Sequence, residues 1–369
     1  MIIGIDGNEA NVEKKVGIGE YAFELLLQFH KSQISNLKFQ IYLKEPPRMD
    51  MPPPTQNWRY KVIGPKKMWT QFALPIRLFL GKKPDVFFTP SHYAPRFSPV
   101  PTVISIMDLS FIRYPELFTK KDLYQLRDWT KYSVKNAKKI FTISQFSKND
   151  IIKEYRVEPK NVIVTYPGIK QNLELKIKDL NMNDLKKKFG IDKEYILFVG
   201  TLQPRKNIEK LIEAFSKTDK DTLLVVVGKK GWLYEDILKA PQKFGIPEKV
   251  KFLDFVSDED LPSLYKNALC FVLPSLYEGF GLPVLEAMKN GCPVLISNVS
   301  SLPEAGGDAA LYFDPENINE ISRAIKKVIS DEKLRKEMIE KGYNQIKKFS
   351  WEKTARKTLE VLQELGIRN

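Results

Sequence analysis

The chain has 369 residues, long for one domain and comfortable for two of ordinary size, with 43% hydrophobic and 28% charged residues, a globular balance. Two cysteines and two histidines exclude a disulfide framework and nearly exclude metal ligation by side-chain nitrogen or sulfur, so a reducing compartment is expected. No run of about 18 apolar residues occurs, which excludes a membrane-spanning helix. The net charge of +14 is uneven: residues 1–170 hold 27 Lys/Arg against 15 Asp/Glu, or +12, and residues 171–369 carry +2. A basic half calls for an anionic partner (nucleic acid, phosphorylated substrate or lipid surface) unless its lysines serve only solubility.

The N-terminus MIIGIDGNEA reads as a strand and not as a signal peptide. Strand-like runs follow in FQIYL, DVFFT, TVISI, KIFTIS and NVIVTY, and EPPRMDMPPPTQ (45–56) reads as a proline-rich loop. The polar stretch 168–194 reads as a linker leading into a first helix. Beyond it YILFVG, TLLVVVG, VKFLDF, ALCFVLPS, CPVLIS and AALYFD repeat the strand pattern, with amphipathic segments such as NIEKLIEAFSK between them. Strands that are apolar throughout have both faces covered, so the alternation predicts parallel sheets between helix layers. The expected fold class is α/β, two doubly wound Rossmann-like domains facing a cleft. The domains are placed at 1–170 and 190–350. Residues 351–369 form an amphipathic helix, capped by Ser350 and ending at Gly366, that either closes the second domain or crosses back onto the first.

In open parallel sheets ligands bind at the carboxyl ends of strands, and three ends in the second half stand out. In FVGTLQPRKNIEKLIEAF a strand ends at Gly200, the loop carries Arg205 and Lys206, and a helix is expected from Asn207. Two cations beside free helix amides suit a phosphate; a capped helix with two solvated charges explains the segment equally well. In VVVGKKGW the signal is weaker. The third end is PSLYEGFGLPVLEAMKNGCPV, where Pro283 fits the first helical position, Glu278 lies on the loop, and Glu286 is expected to face out from the first turn. Two acids in the least polar stretch of a basic chain are costly unless something uses them. Carboxylates accept from sugar hydroxyls while amides and cations hold phosphates, so the pattern suits a sugar diphosphate. Helix-start electrostatics would also account for Glu286.

The stretch PSLYEGFGLPVLEAMKNGCPVLISNVSSLPEAGGDAALYFDP strongly resembles the signature of the retaining, nucleotide-sugar-dependent group 1 glycosyltransferases of GT-B architecture, with Glu278 and Glu286 as its E-x7-E acids. FVGTLQPRKN, GIDGNEANVEKKVGIGEYAFELL, IMDLSFIRYPELF and TISQFSKNDI extend the resemblance to members that build bacterial surface polysaccharides, often with mannose. The resemblance implies that Glu286 binds the donor ribose and Glu278 the transferred sugar. The amides of Phe280, Gly281 and Leu282, beside Gly279, would lie against sugar and phosphates. Arg205 and Lys206, after Gly200, would hold the diphosphate, and Gly17 and Gly19 would form a facing glycine loop. Phe252 and Val256 would flank the base, and Asp108 would face the cleft. Many relatives carry His-Asp where this chain has Met107-Asp108, and His92 either replaces that imidazole or is a satisfied loop histidine.

The reaction so implied is metal-independent transfer of a hexosyl group with retention, mannose from GDP-mannose favoured, to a polysaccharide or lipid-linked oligosaccharide acceptor. The cations stabilise the leaving diphosphate, and no cofactor is required. The expected location is cytoplasmic, peripheral on the inner face of a membrane. KKMWTQFALPIRLFLGKK there reads either as a surface-docking segment or as an ordinary amphipathic core helix. The competing readings are a sugar-nucleotide epimerase or phosphorylase of the same fold, and a nucleic-acid-binding protein, which leaves Glu278 unexplained.

Overall fold

In the computed structural model the described residues are 1–32, 34, 36–169, 178–218 and 221–367. Residues 170–177 of the expected linker lie outside them. The chain divides into two compact units, Met1–Lys170 with Ser350–Asn369, and Gln171–Phe349.

The first unit holds strands β1 (Ile2–Asp6), β2 (Lys38–Leu43), β3 (Trp58–Val62), β4 (Val86–Thr89), β5 (Thr102–Ser105), β6 (Lys139–Thr142) and β7 (Val162–Val164). They form one parallel sheet in the order β3-β2-β1-β4-β5-β6-β7. Successive strand residues face opposite layers: Ile41 and Phe88 enter the core that buries helix Ile18–Ser32, while Tyr42 and Phe87 pack with Trp69, Leu74 and Leu78 on the other side. Strand β3 is the one the sequence pattern does not announce. Its WRYKV alternates apolar and cationic residues, as an edge strand can, and only Trp58 is buried. Helix Trp351–Ile367 belongs to this unit, placing Trp351, Ala355, Leu359 and Leu362 in the same core as Ile3 and Leu26. Gly366 lies within that helix, which runs one residue past the expected end.

The second unit holds β8 (Tyr195–Val199), β9 (Leu223–Val227), β10 (Val250–Leu253), β11 (Cys270–Leu273), β12 (Val294–Ser297) and β13 (Ala310–Phe313). Their order is β10-β9-β8-β11-β12-β13, again parallel. The first helix, Met182–Phe189, starts in a capping box of Asn181 and Asp184 and stops at Gly190, whose φ is +65°. Cys270 and Cys292 are both buried free thiols.

Both sheets reverse their strand order once, between β1 and β4 in the first unit and between β8 and β11 in the second. At such a switch point the two flanking connections leave in opposite directions and open a crevice at the strands' carboxyl ends.

Candidate active site

At the β8/β11 switch point the sequence-predicted residues Arg205, Lys206 and Glu278 come together, 72 and 73 residues apart in the chain. After β8 the chain makes a 3-10 turn, Pro204–Lys206, and the helix then begins at Ile208. Asn207 is therefore not the helix start that the sequence suggests. It sits in the left-handed region at φ +57°, and its buried amide donates to the carbonyls of Pro274 (3.1 Å) and Pro315 (2.8 Å). This ties the cationic turn to the loop after β11.

Glu278 is only 7% exposed. Its Oε1 accepts from Lys206 Nζ at 2.5 Å and from Ser275 Oγ at 2.6 Å, and its Oε2 from Arg205 at 3.1 Å. Arg205 also donates to the Tyr277 carbonyl. Burial pushes the carboxyl up, but the Lys206 and Arg205 charges and the hydrogen bonds outweigh it and hold it at about 2. The backbone is clamped as well: Glu278 N–H donates to Ser300 Oγ (3.0 Å), and Ser301 Oγ donates to the Glu278 carbonyl (2.8 Å). The sequence reading assigned the cations to phosphate and the acid to sugar separately; the structure joins the three side chains into one cluster of formal charge +1. The three serines that lock it carry no sequence signal of their own.

Gly279 and Phe280 follow, Phe280 turning its ring inward onto Phe349 (centroids 5.2 Å). Gly281 has φ +100°, and a Cβ there would lie 2.7 Å from Leu302 Cδ2, so glycine alone fits. That conformation starts the helix at Leu282, one residue before the expected Pro283. Glu286 is consequently the fifth helical residue and not in the first turn, and it is half-buried, accepting from Tyr265 Oη at 3.1 Å. Burial, then the Glu286 charge, pushes the Tyr265 hydroxyl well above its usual range, so it stays a donor. The helix has no acid in its first turn and no side-chain cap; Pro283 at its second position carries no N–H, and the Val284 N–H donates to the Gly281 carbonyl at 2.9 Å.

Gly200 and Gly228 end β8 and β9 in contact: a Cβ on Gly228 would lie 1.9 Å from the Gly200 carbonyl oxygen. Within β10 Phe252 is half-buried, and beyond it Val256 is buried. The ring that reaches solvent here is Phe255, with Lys229 Nζ, the cation of the weaker VVVGKKGW signal, 5.1 Å from its centroid; the sequence pattern does not point to Phe255.

In the first unit, Gly17 precedes helix Ile18–Ser32 at φ +54°, with open space where a Cβ would be. Gly19 is not in a loop but in that helix's first turn, its Cβ position 3.0 Å from the Glu9 carbonyl oxygen. Asp108, after β5, accepts from the Ser110 N–H at 2.8 Å. His92 follows β4, and its Nε2 accepts from the Met107 N–H at 3.4 Å, which leaves the proton on Nδ1. Burial lowers the imidazole to about 4, partly opposed by Asp108, so the ring is neutral.

Two parallel Rossmann-like units, each with its crevice at a switch point, define the GT-B architecture. The family "Glycosyl transferases group 1" matches residues 181–345. The O-antigen chain mannosyltransferase B of Escherichia coli is 34% identical over 83% of this chain and 79% of its own length. The serotype-specific mannosyltransferase WbdA of the same species is 33% identical over 62% of this chain and 29% of its own. Among solved structures, a sucrose-phosphate synthase from Thermosynechococcus elongatus superposes over 100% of both chains (TM-score 0.76, 18% identity). WaaG, a glycosyltransferase involved in lipopolysaccharide biosynthesis, superposes over 98% of this chain and 99% of its own (TM-score 0.71, 16% identity). The chain belongs to the group 1 glycosyltransferase family.

Proposed function

We propose that this glycosyltransferase moves mannose from a nucleotide sugar, GDP-mannose favoured, to a growing polysaccharide or lipid-linked oligosaccharide, with retention and without a metal ion, in the cytoplasm at the inner face of a membrane. The observation that carries the reading is the Arg205–Lys206–Glu278 cluster. As the sugar–phosphate bond breaks, negative charge collects on the departing diphosphate, and two cations already fixed in place need no reorganisation to meet it. The cluster's surplus positive charge supplies the neutralisation that a divalent ion would otherwise give. The acceptor hydroxyl attacks from the face the diphosphate leaves and passes its proton to a departing phosphate oxygen. Mannose is favoured because mannosyltransferases recur among the relatives.

Glu286 is assigned to the ribose hydroxyls, oriented by Tyr265. Glu286→Ala should weaken nucleoside diphosphate binding by about 1.5–3 kcal/mol, the scale of a hydrogen bond to a charged group, and calorimetry showing unchanged affinity would remove it from the site. The overall reading is tested by offering GDP- and UDP-sugars with a mannose-terminated acceptor and following the product's anomeric proton by NMR. An α-linked mannoside formed from GDP-α-mannose in EDTA is the expected result. A β-linked product, or activity that returns only with Mg²⁺ or Mn²⁺, would contradict it.

A further inference from the structure

Helix Ala73–Leu80 presents an apolar face to solvent. Ala73, Leu74, Pro75 and Leu78 are buried against the first unit's sheet, while Phe72, Ile76, Phe79 and Leu80 point outward, Leu80 being 81% exposed and the other three more than half. The spacing 72, 76, 79, 80 is one continuous helical stripe. A surface helix ordinarily turns its polar residues to water; this one is ALPIRLFL, with Arg77 its single charge. Contiguous exposed apolar area of this kind marks a docking surface.

The charges around the stripe say what docks there. From residue 51 to residue 84 the chain has seven Lys/Arg and no Asp or Glu. Lys66 and Lys67 precede the helix, and Lys82 and Lys83 follow it; Lys83 Nζ lies 5.8 Å from the Phe79 ring centroid. Lys66 is paired with Glu45 at 2.6 Å. Burial, then the charges of Arg77, Arg59 and Lys82, presses the Lys61 ammonium below its usual range, so these cations crowd one another. An apolar stripe between basic clusters fits an interface whose outer layer is anionic and whose next layer is hydrocarbon.

We infer that Phe72, Ile76, Phe79 and Leu80, flanked by Lys67, Arg77, Lys82 and Lys83, form the face by which the enzyme seats on an anionic lipid bilayer. The inference stands on exposure and charge, and rests on the proposed function only in giving the enzyme a reason to be there, a lipid-anchored acceptor.

The test uses the full chain in co-sedimentation with vesicles of phosphatidylcholine alone and of phosphatidylcholine with phosphatidylglycerol. Wild type should bind the anionic vesicles about 100-fold more tightly than the neutral ones, and less as salt rises, given that each basic residue near the surface strengthens binding several-fold. Lys82→Glu with Lys83→Glu should cost tenfold or more, and so should Ile76→Asp with Leu80→Asp; all four side chains are exposed, so both variants should keep the wild-type melting temperature. Wild-type binding unaffected by either variant, or no binding at low salt, would overturn the inference. So would a dimer that Ile76→Asp with Leu80→Asp dissolves while vesicles are ignored, which would make the face a contact between copies. Transfer to a soluble acceptor, read in parallel, tests the transferase reading separately. Vesicle binding without transfer leaves the docking face standing; transfer without vesicle binding removes it.

Discussion

The part played by the Glu278 carboxylate can be tested through its charge alone. Its carboxylate holds Arg205 and Lys206 by direct hydrogen bonds in a nearly buried cluster, so Glu278→Gln keeps the shape but leaves two cations beside a neutral amide. Losing one partner of a buried ion pair costs about 3–5 kcal/mol, and the second unit's melting temperature should fall accordingly. Pyrophosphate should then raise that temperature more in the variant than in wild type, because an added anion replaces the missing charge; an equal rise would mean that the cations do not face a phosphate site. Two groups make large contributions to the acid side of the stability curve. Glu278, held at about 2 against an ordinary 4.5, contributes fully above the ordinary value and loses its contribution as pH falls towards 2. His92, lowered by burial to about 4 from 6.5, favours its neutral form in the fold, so its contribution is complete above 6.5 and lost as pH falls towards 4. Denaturant titrations at pH 7 and pH 5 should differ by about 2 kcal/mol from this histidine, and His92→Gln should abolish that difference.

At the scale of the element, the start of helix Leu282–Lys289 depends on one backbone angle. Gly281→Ala must place a side chain at φ +100° and within 2.7 Å of Leu302, which should cost about 1–3 kcal/mol and displace the amides at the helix start. Gly17→Ala meets no atom within 4 Å, so it should cost only about 1 kcal/mol for its left-handed backbone. Chemical denaturation of the two variants compares them directly. The same helix shows where sequence reading stops. Apolar runs announced every strand but β3: the central strands are buried on both faces and carry a continuous hydrophobic signature, whereas Arg59 and Lys61 interrupt that edge strand. The acids Glu278 and Glu286 were legible as misplaced charges. Their partners were not: Arg205 and Lys206 reach Glu278 only because β8 and β11 are neighbours, and adjacency of strands is a property of topology, not of local composition. The position of Glu286 in its helix shifted because nothing in the chain distinguishes a helix beginning at Leu282 from one beginning at Pro283.

On the scale of the whole molecule, the first unit is discontinuous. Its core is completed by a helix that arrives after the second unit has been traversed, burying Trp351, Ala355, Leu359 and Leu362 at intervals of four, four and three residues. Tyr21 meets Trp351 edge-on at 5.9 Å, and a Cβ on Gly168 would lie 2.0 Å from the Trp351 nitrogen, so the returning chain lies directly against the segment that leaves the unit. Thr354 Oγ1 donates to the Tyr166 carbonyl at the same place. Leu362 is fully buried, and Leu362→Ala should cost about 2–5 kcal/mol through lost transfer energy and the cavity left behind. That cost falls on the first unit alone, while the second unit's sheet, with Tyr195, Leu197 and Phe198 fully buried, keeps every contact. Scanning calorimetry of the full chain should therefore show one transition moving down in Leu362→Ala and another unmoved. Nucleoside diphosphate, assigned to the second unit, should shift the unmoved transition and not the other. A single transition that moves as a whole would mean the units melt as one cooperative body, and the returning helix would then stabilise the donor half as much as the half it packs on.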